Sequence, residues 1–218
     1  MRVWATLFDV LFHATMRAAD RAFDWRYGVE TTVERRYAAE EAMLTRHGDP
    51  ETNMPSYYLR LWALRRFLAP GPDDVFADLG CGSGRTLFVF ARAGVRCCRG
   101  IEFYGTACRL AARNVAGFGG KGAPVEIIHA DIADYAFDDE TVLFLFNPFG
   151  RATLRAVLEN LRASLLVRPR RVRIGYYHPV HADLLDATPW LRRGGLVRGF
   201  KTNIAVYETR PLTPSNLV

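Results

Sequence analysis

Apolar residues recur along this chain in two rhythms. Over roughly the first 70 residues they fall three and four apart, as in Trp4, Leu7, Phe8, Leu11 and Phe12, the spacing that gives a helix one apolar face. A polar break from His47 to Asn53, with Gly48 and Pro50, divides that stretch. Met54-Pro55-Ser56-Tyr57-Tyr58 then leads into a second apolar stripe of Leu59, Trp62, Ala63 and Phe67. Ala69-Pro70-Gly71-Pro72 stops this helix, and Asp73-Asp74 deliver the chain into short apolar runs that alternate with helical stripes. Strands are expected over 75–79, 96–102, 125–130, 141–146 and 171–177. Between them, Cys108, Ala111, Ala112 and Val115 mark a helix over 107–118 that Gly119-Gly120-Lys121-Gly122 closes, and Leu154, Leu158, Leu161 and Leu165 mark another. A short helix over 181–188 follows, and 195–200 and 204–209 flank Lys201-Thr202-Asn203 as a hairpin. The alternation predicts an α/β protein with a mostly parallel seven-stranded sheet that ends in an antiparallel hairpin. Residues 1–70 form a helical cap on it, and residues 71–218 the main domain.

The chain turns around Val75–Arg85, VFADLGCGSGR, where a buried strand runs into a glycine-rich turn and then into a helix. Gly80, Gly82 and Gly84 leave no Cβ to block a ligand, which would lie against bare backbone. A dinucleotide fingerprint G-x-G-x-x-G needs its third glycine at position 85, which is Arg, so the spacing points away from NAD.

Bulk properties narrow the picture only a little. The 218 residues are half hydrophobic, enough for one domain and an appendage, and no apolar run approaches the roughly 20 residues of a membrane span. Asp9 interrupts the apolar N-terminus and no small-residue cleavage site follows it, so it reads as a helix, not a signal peptide. Cys81, Cys97, Cys98 and Cys108 contain no C-x-x-C pair, which suits free thiols in a reducing cytoplasm. The net charge of +6 is carried by arginine, Lys121 and Lys201 being the only lysines, and charge alone does not select a nucleic-acid partner.

With Asp78 in the strand end, the glycine turn resembles motif I, (D/E)-x-G-x-G-x-G, of the class I S-adenosylmethionine-dependent methyltransferases. That resemblance covers about residues 75–210 by order of elements and implies a Rossmann-like fold with S-adenosyl-L-methionine as cofactor. In an open sheet of this kind ligands sit beyond the carboxyl ends of the strands. Glu102 ends the second strand about 20 residues past the turn, where a carboxylate takes ribose hydroxyls, and the resemblance makes it the motif II acid. Asp131, after the third strand, stands where the family holds the adenine amino group, with Phe103 and Ile132 as apolar candidates for the ring. Asp78, Gly80, Gly82, Ser83 and Gly84 complete the expected cofactor site. Tyr57, with Ser56 and Tyr58, is placed to reach the cofactor carboxylate if the N-terminal helices fold over the pocket.

On the reaction side, Asn147-Pro148-Phe149-Gly150 ends the fourth strand. It resembles in part the (Asn/Asp)-Pro-Pro-(aromatic) motif of methyltransferases acting on planar nitrogens, with Phe149 where the second proline belongs. Asn147, which also borders the cofactor, is expected to position the acceptor, and Phe149 to wall it. Tyr176 and Tyr177 end the fifth strand at the same edge, beside His178, where a phenol or imidazole is placed to take a substrate proton. His178 and His181 read as H-x-x-H, with no further cluster to make a metal site. No G-x-S-x-G elbow or Walker A lysine is present, and in-line methyl transfer requires no covalent enzyme nucleophile. The expected activity is methylation of nitrogen or oxygen on a small molecule or a protein side chain by a cytoplasmic enzyme. RNA or DNA methylation is the alternative. Against it, Arg168, Arg170, Arg171 and Arg173 precede or open the fifth strand, which puts most of them at the amino edge of the sheet and leaves Arg85 and Arg151 as a thin groove at the cofactor edge. A non-catalytic cofactor-binding scaffold is the reading from another class.

Overall fold

The structure, a computed structural model, describes residues 2–32, 56–198 and 203–210, and only the backbone of residues 2–9. The expected break at His47–Asn53, the Met54-Pro55 pair, Phe200 and Lys201-Thr202 lie outside the described residues, as do the side chains of Trp4, Leu7 and Phe8.

Helices α1 (Arg2–Tyr27) and α2 (Tyr58–Leu68) come first. Strand β1 (Val75–Leu79), helix α3 (Arg85–Ala91), strand β2 (Cys97–Glu102), helix α4 (Gly105–Phe118) and strand β3 (Val125–His129) build half of the sheet. A single 3-10 turn over Ile132–Asp134 leads to β4 (Val142–Leu145), α5 (Arg151–Val167) and β5 (Arg173–Tyr177). The short α6 (Ala182–Asp186) precedes β6 (Leu191–Val197) and β7 (Ile204–Thr209). The seven strands lie in the order β3-β2-β1-β4-β5-β7-β6, all pairs parallel except β5 with β7 and β6 with β7. The expected architecture is therefore present, and the order reverses between β1 and β4. A crevice opens at such a reversal, beyond the carboxyl ends of the two strands.

All five residues of β1 are buried, as a strand covered on both faces requires. One apolar cluster joins α1, α2 and α3 to the sheet through residues such as Phe23, Leu64, Phe88 and Phe144. The other joins α5 and the hairpin to the opposite face through Leu154, Leu161, Ile174 and Trp190. Helix α3, RTLFVFA, is buried at every residue. Its sequence is apolar almost all round, the composition of a helix with no solvent face, because α2 covers the side that the sheet does not.

Three expectations change. In α2 the stripe Leu59, Trp62 and Phe67 faces outward, and Tyr58, Leu61, Leu64 and Leu68 form the buried face. The helix carries two apolar stripes and no acid, so periodicity does not choose between them; Gly175 of β5 chooses, since a Cβ there would stand 3.1 Å from Leu64 Cδ1. Helix α2 thus lies inside the core of the sheet, on the N-terminal side of the expected boundary at residue 70. The hairpin begins at Leu191, earlier than 195, because Gly194-Gly195 acts as a bulge within β6 and not as a break. A Cβ on Gly195 would meet Phe67 Cζ at 2.3 Å, so the bare glycine admits the outer end of α2. In α4, Ala112 is exposed and the polar Asn114 takes a place on the buried face.

Candidate active site at the carboxyl edge

The glycine turn hangs from the second strand. Gly80 and Cys81 N–H both donate to the Ile101 carbonyl, at 2.8 and 3.1 Å, and Gly82 N–H donates to Glu102 Oε2 at 2.8 Å. Gly80, Gly82 and Gly84 have φ of 85°, 54° and 86°, a left-handed region that side-chain-bearing residues rarely adopt. A Cβ on Gly80 would stand 2.6 Å from Pro148 Cβ. The turn after β1 and the Asn147-Pro148 loop after β4 are therefore in contact at the point where the strand order reverses.

Glu102 is buried and takes Tyr104 N–H on Oε1 at 2.9 Å as well as Gly82 N–H on Oε2. Burial pushes its carboxyl above the usual carboxylate range against these backbone donors and the nearby His129. Phe103 N–H is a third backbone donor to Glu102, which leaves one acceptor position for a hydroxyl. Asp78, directly behind the turn, is pushed well up by burial, opposed by a hydrogen bond with Thr86 and reinforced by the charge of Glu102. Ser83 offers its carbonyl to Asn114 Nδ2 at 2.9 Å, and Asn114 also clasps both the N–H and the carbonyl of Glu30. Asp131 caps the 3-10 turn, taking Ala133 N–H at 2.9 Å. Phe103 is half-buried at this end, whereas Ile132 is buried in the core.

Asn147 is buried and has φ 41°, a conformation that asparagine tolerates better than most residues. Its Oδ1 accepts from the Tyr176 hydroxyl at 2.9 Å, and that hydroxyl in turn accepts from His181 N–H at 3.2 Å. Tyr176 therefore supports Asn147 from behind. Tyr177 points to the other face of the sheet, edge-on to Phe146 at 4.3 Å between ring centroids and under Arg60 at 5.7 Å. Burial pushes its phenol up to about 12 despite the Arg60 charge, so it is neutral near pH 7. Phe149 is half-buried against the α5 side of the core. His178 is exposed, with φ 51°. Among the described residues no group of three or more His, Cys, Asp or Glu is placed to hold a metal.

The N-terminal helices meet this edge through a buried polar network that sequence reasoning missed. Arg85, expected at a groove, is buried beneath α1 and α2. It pairs with Asp20 at 2.7 Å, donates to the Ser56 and Thr31 carbonyls at 2.9 and 2.7 Å, and lies 4.8 Å over the Tyr58 ring. Asp24 takes the Thr31 and Thr32 N–H groups and both the Thr31 and Tyr58 hydroxyls. The signal was available: an arginine opening an all-apolar helix needs a buried acid, and Asp20 and Asp24 stand one helical turn apart. Tyr57, just ahead of α2, meets His13 Nδ1 at 2.6 Å through its hydroxyl. Arg151, the other groove candidate, pairs with Asp183 at 2.6 Å.

Residues 76–166, from β1 to the last turn of α5, match the family model of a methyltransferase domain. That span carries a methyltransferase domain. No curated protein sequence matches it. Its fold is shared with an RNA methyltransferase from Salinibacter ruber solved with S-adenosyl-L-homocysteine, at 19% identity and TM-score 0.58, covering 76% of this chain and 99% of that one. A dimethyladenosine transferase from Plasmodium falciparum aligns at 12% identity and TM-score 0.56, covering 76% of this methyltransferase and 66% of that chain. A TehB-like S-adenosylmethionine-dependent methyltransferase from Corynebacterium glutamicum aligns at 16% and 0.52, covering 69% and 87%. At such identities the likeness is one of fold. The cofactor of this methyltransferase is S-adenosylmethionine, and the left-handed glycines with the arginine-free carboxylate of Glu102 beside them suit that group. No described helix is long and apolar enough to cross a membrane.

Proposed function

We propose that this methyltransferase acts on a nitrogen or oxygen of a small molecule or protein side chain presented beside Asn147. The observation that carries the reading is the contact between Gly80 and Pro148, which sets the expected cofactor turn against the expected acceptor loop. Asp78, the Gly80–Gly84 turn, Glu102, Phe103 and Asp131 hold the cofactor, and Tyr57 borders its amino-acid end. Residues 58–68 then belong to the catalytic domain, and only the chain before them forms an extension.

When bound, S-adenosylmethionine would supply an electrophilic methyl group on a sulfonium, with S-adenosylhomocysteine as the leaving group. The chain's part is alignment and exclusion of water. Asn147, held by the Tyr176 hydroxyl, positions the acceptor, and Phe146 and Phe149 flank it with apolar surface. Neutral Tyr177 contributes packing and not a base.

A nucleic-acid acceptor is the second reading, favoured by the RNA methyltransferases among proteins of this fold. Against it stands the burial of Arg85, which removes it as a phosphate contact and leaves only Arg151, itself paired with Asp183, of the two expected groove arginines. Labelled cofactor incubated with cell-extract fractions, with and without nuclease or protease, separates the two. Label that survives nuclease supports the proposal, and label released by nuclease transfers the protein to the second reading.

A further inference from the structure

Helix α1 sorts its charges by face. Asp20 and Asp24 lie on the inner side with Phe23, and all three are buried. Arg17, Arg21 and Arg26 are exposed. Between them, at three- and four-residue spacing, runs an outer line of Leu11, Ala14, Ala18, Ala22 and Trp25, every one exposed. Leu11 is 58% and Trp25 85% accessible, and Val10 beside the line is 60%. The sequence continues the series upstream at Leu7 and Trp4. Helix α2 repeats the pattern on its outer side with Leu59, Trp62, Phe67 and Arg66 and no acid, and Trp62 stands 6.3 Å from Phe23 of α1.

We infer that the outer face of α1 docks on an anionic lipid surface. A continuous apolar line parallel to the helix axis, ending in tryptophan and flanked on both sides by arginine, is the pattern of a helix that lies in the headgroup plane. Anionic headgroups attract each arginine as the apolar line enters the acyl boundary. Charge selects this occupant. A second copy packed face to face about a two-fold axis would set arginines against arginines. RNA would match the arginines and leave the aliphatic line in water. The inference goes beyond the methyl-transfer reading and does not depend on which acceptor is used.

The test is sedimentation of the full chain with vesicles of phosphatidylcholine, alone or mixed with phosphatidylglycerol. Binding is expected to the mixed vesicles only, weakening as salt is added. Both Arg17→Glu/Arg21→Glu and Leu11→Ser/Trp25→Ser should weaken it by about tenfold or more, and Arg171→Glu on the opposite edge should leave it unchanged. Unaltered thermal melting and S-adenosylhomocysteine binding show that the variants are folded. Failure to bind the mixed vesicles overturns the inference, as does undiminished binding by either double variant. So does a concentration-dependent dimer that Leu11→Ser/Trp25→Ser abolishes without vesicle binding, since the face then belongs to a second copy. Retention on RNA in place of vesicles overturns it equally.

Discussion

The two edges of the sheet treat their strand-end acids in opposite ways. At the amino edge, cations and acids are matched: Arg173 with Asp74, Arg99 with Asp139 and Glu140, Arg168 with Asp138, and Arg171 and Arg192 with Glu208. Burial alone would raise the carboxyls of Asp74 and Asp139, but hydrogen bonds and charge from Arg173, Arg99 and Arg96 outweigh it and hold both below the usual range. At the carboxyl edge, Asp78 and Glu102 are buried beside one another, with no arginine or lysine partner among the described residues, and burial pushes both up. Acids held without cations cost stability, and a chain keeps them where a ligand uses them. The amino edge is therefore fold, and the carboxyl edge is the proposed site.

The largest effect is expected where the site edge is anchored. Asp20→Ala leaves Arg85 buried with carbonyls but no counter-charge, and loss of one partner of a buried pair costs about 3–5 kcal/mol. Urea denaturation reads it, and a loss below about 1 kcal/mol, the surface-pair range, would show that the pair is not buried in solution. Asn147→Ala should lower turnover on the true acceptor by about 10² and change cofactor affinity far less. Phe149→Ala should raise the acceptor KM more than it lowers kcat. Tyr176→Phe sharpens the assignment: it deletes only the hydroxyl that orients Asn147 and receives His181 N–H, so turnover should fall less than in Asn147→Ala while cofactor binding holds. Equal cofactor loss in both variants would make the Asn147 loop part of the cofactor site alone.

Glu102→Ala should weaken S-adenosylhomocysteine binding by about 1–3 kcal/mol, the range for a hydrogen bond to a charged group. An unchanged titration would remove Glu102 from the cofactor site. For Asp78 the sign follows from burial. The folded carboxyl holds its proton to higher pH than the unfolded one, so its contribution favours the fold in acid and is lost as pH rises through the folded value. Asp78→Asn stays neutral throughout. The stability of Asp78→Asn relative to wild type should therefore rise from about pH 4 upward, and a difference that does not vary with pH would mean that Asp78 is not raised.

Much of this was legible in the sequence, and what was not has identifiable causes. The glycine turn, the alternation of strands and helices, and the strand-end positions of Glu102, Asp131 and Asn147 follow from local spacing. The exposed side of α2 does not, because its two apolar stripes are settled only by Gly175 and Gly195 across the sheet. The role of Tyr176 depends on which neighbour its hydroxyl meets, and adjacent tyrosines on a strand face opposite ways. Arg85 looked like a surface cation because its partner lies 65 residues upstream, in a helix whose docking no local pattern fixes.

The smallest effect should come from the amino edge. Arg171 is well exposed and forks onto Glu208 Oε2 at 2.9 and 2.5 Å, while Arg192 reaches the other oxygen of the same carboxylate at 2.5 Å. Arg171→Ala therefore leaves Glu208 with a cation still in place and buries no orphan charge. The cost should stay within about 0–1 kcal/mol and shrink as salt rises. S-adenosylhomocysteine affinity should not change, since Arg171 stands just before β5 enters the sheet and the cofactor turn lies at the other end of the strands. A loss of cofactor affinity in Arg171→Ala with little loss of stability would be the result that breaks the contrast, because it would couple the matched edge to the site across the full length of β5.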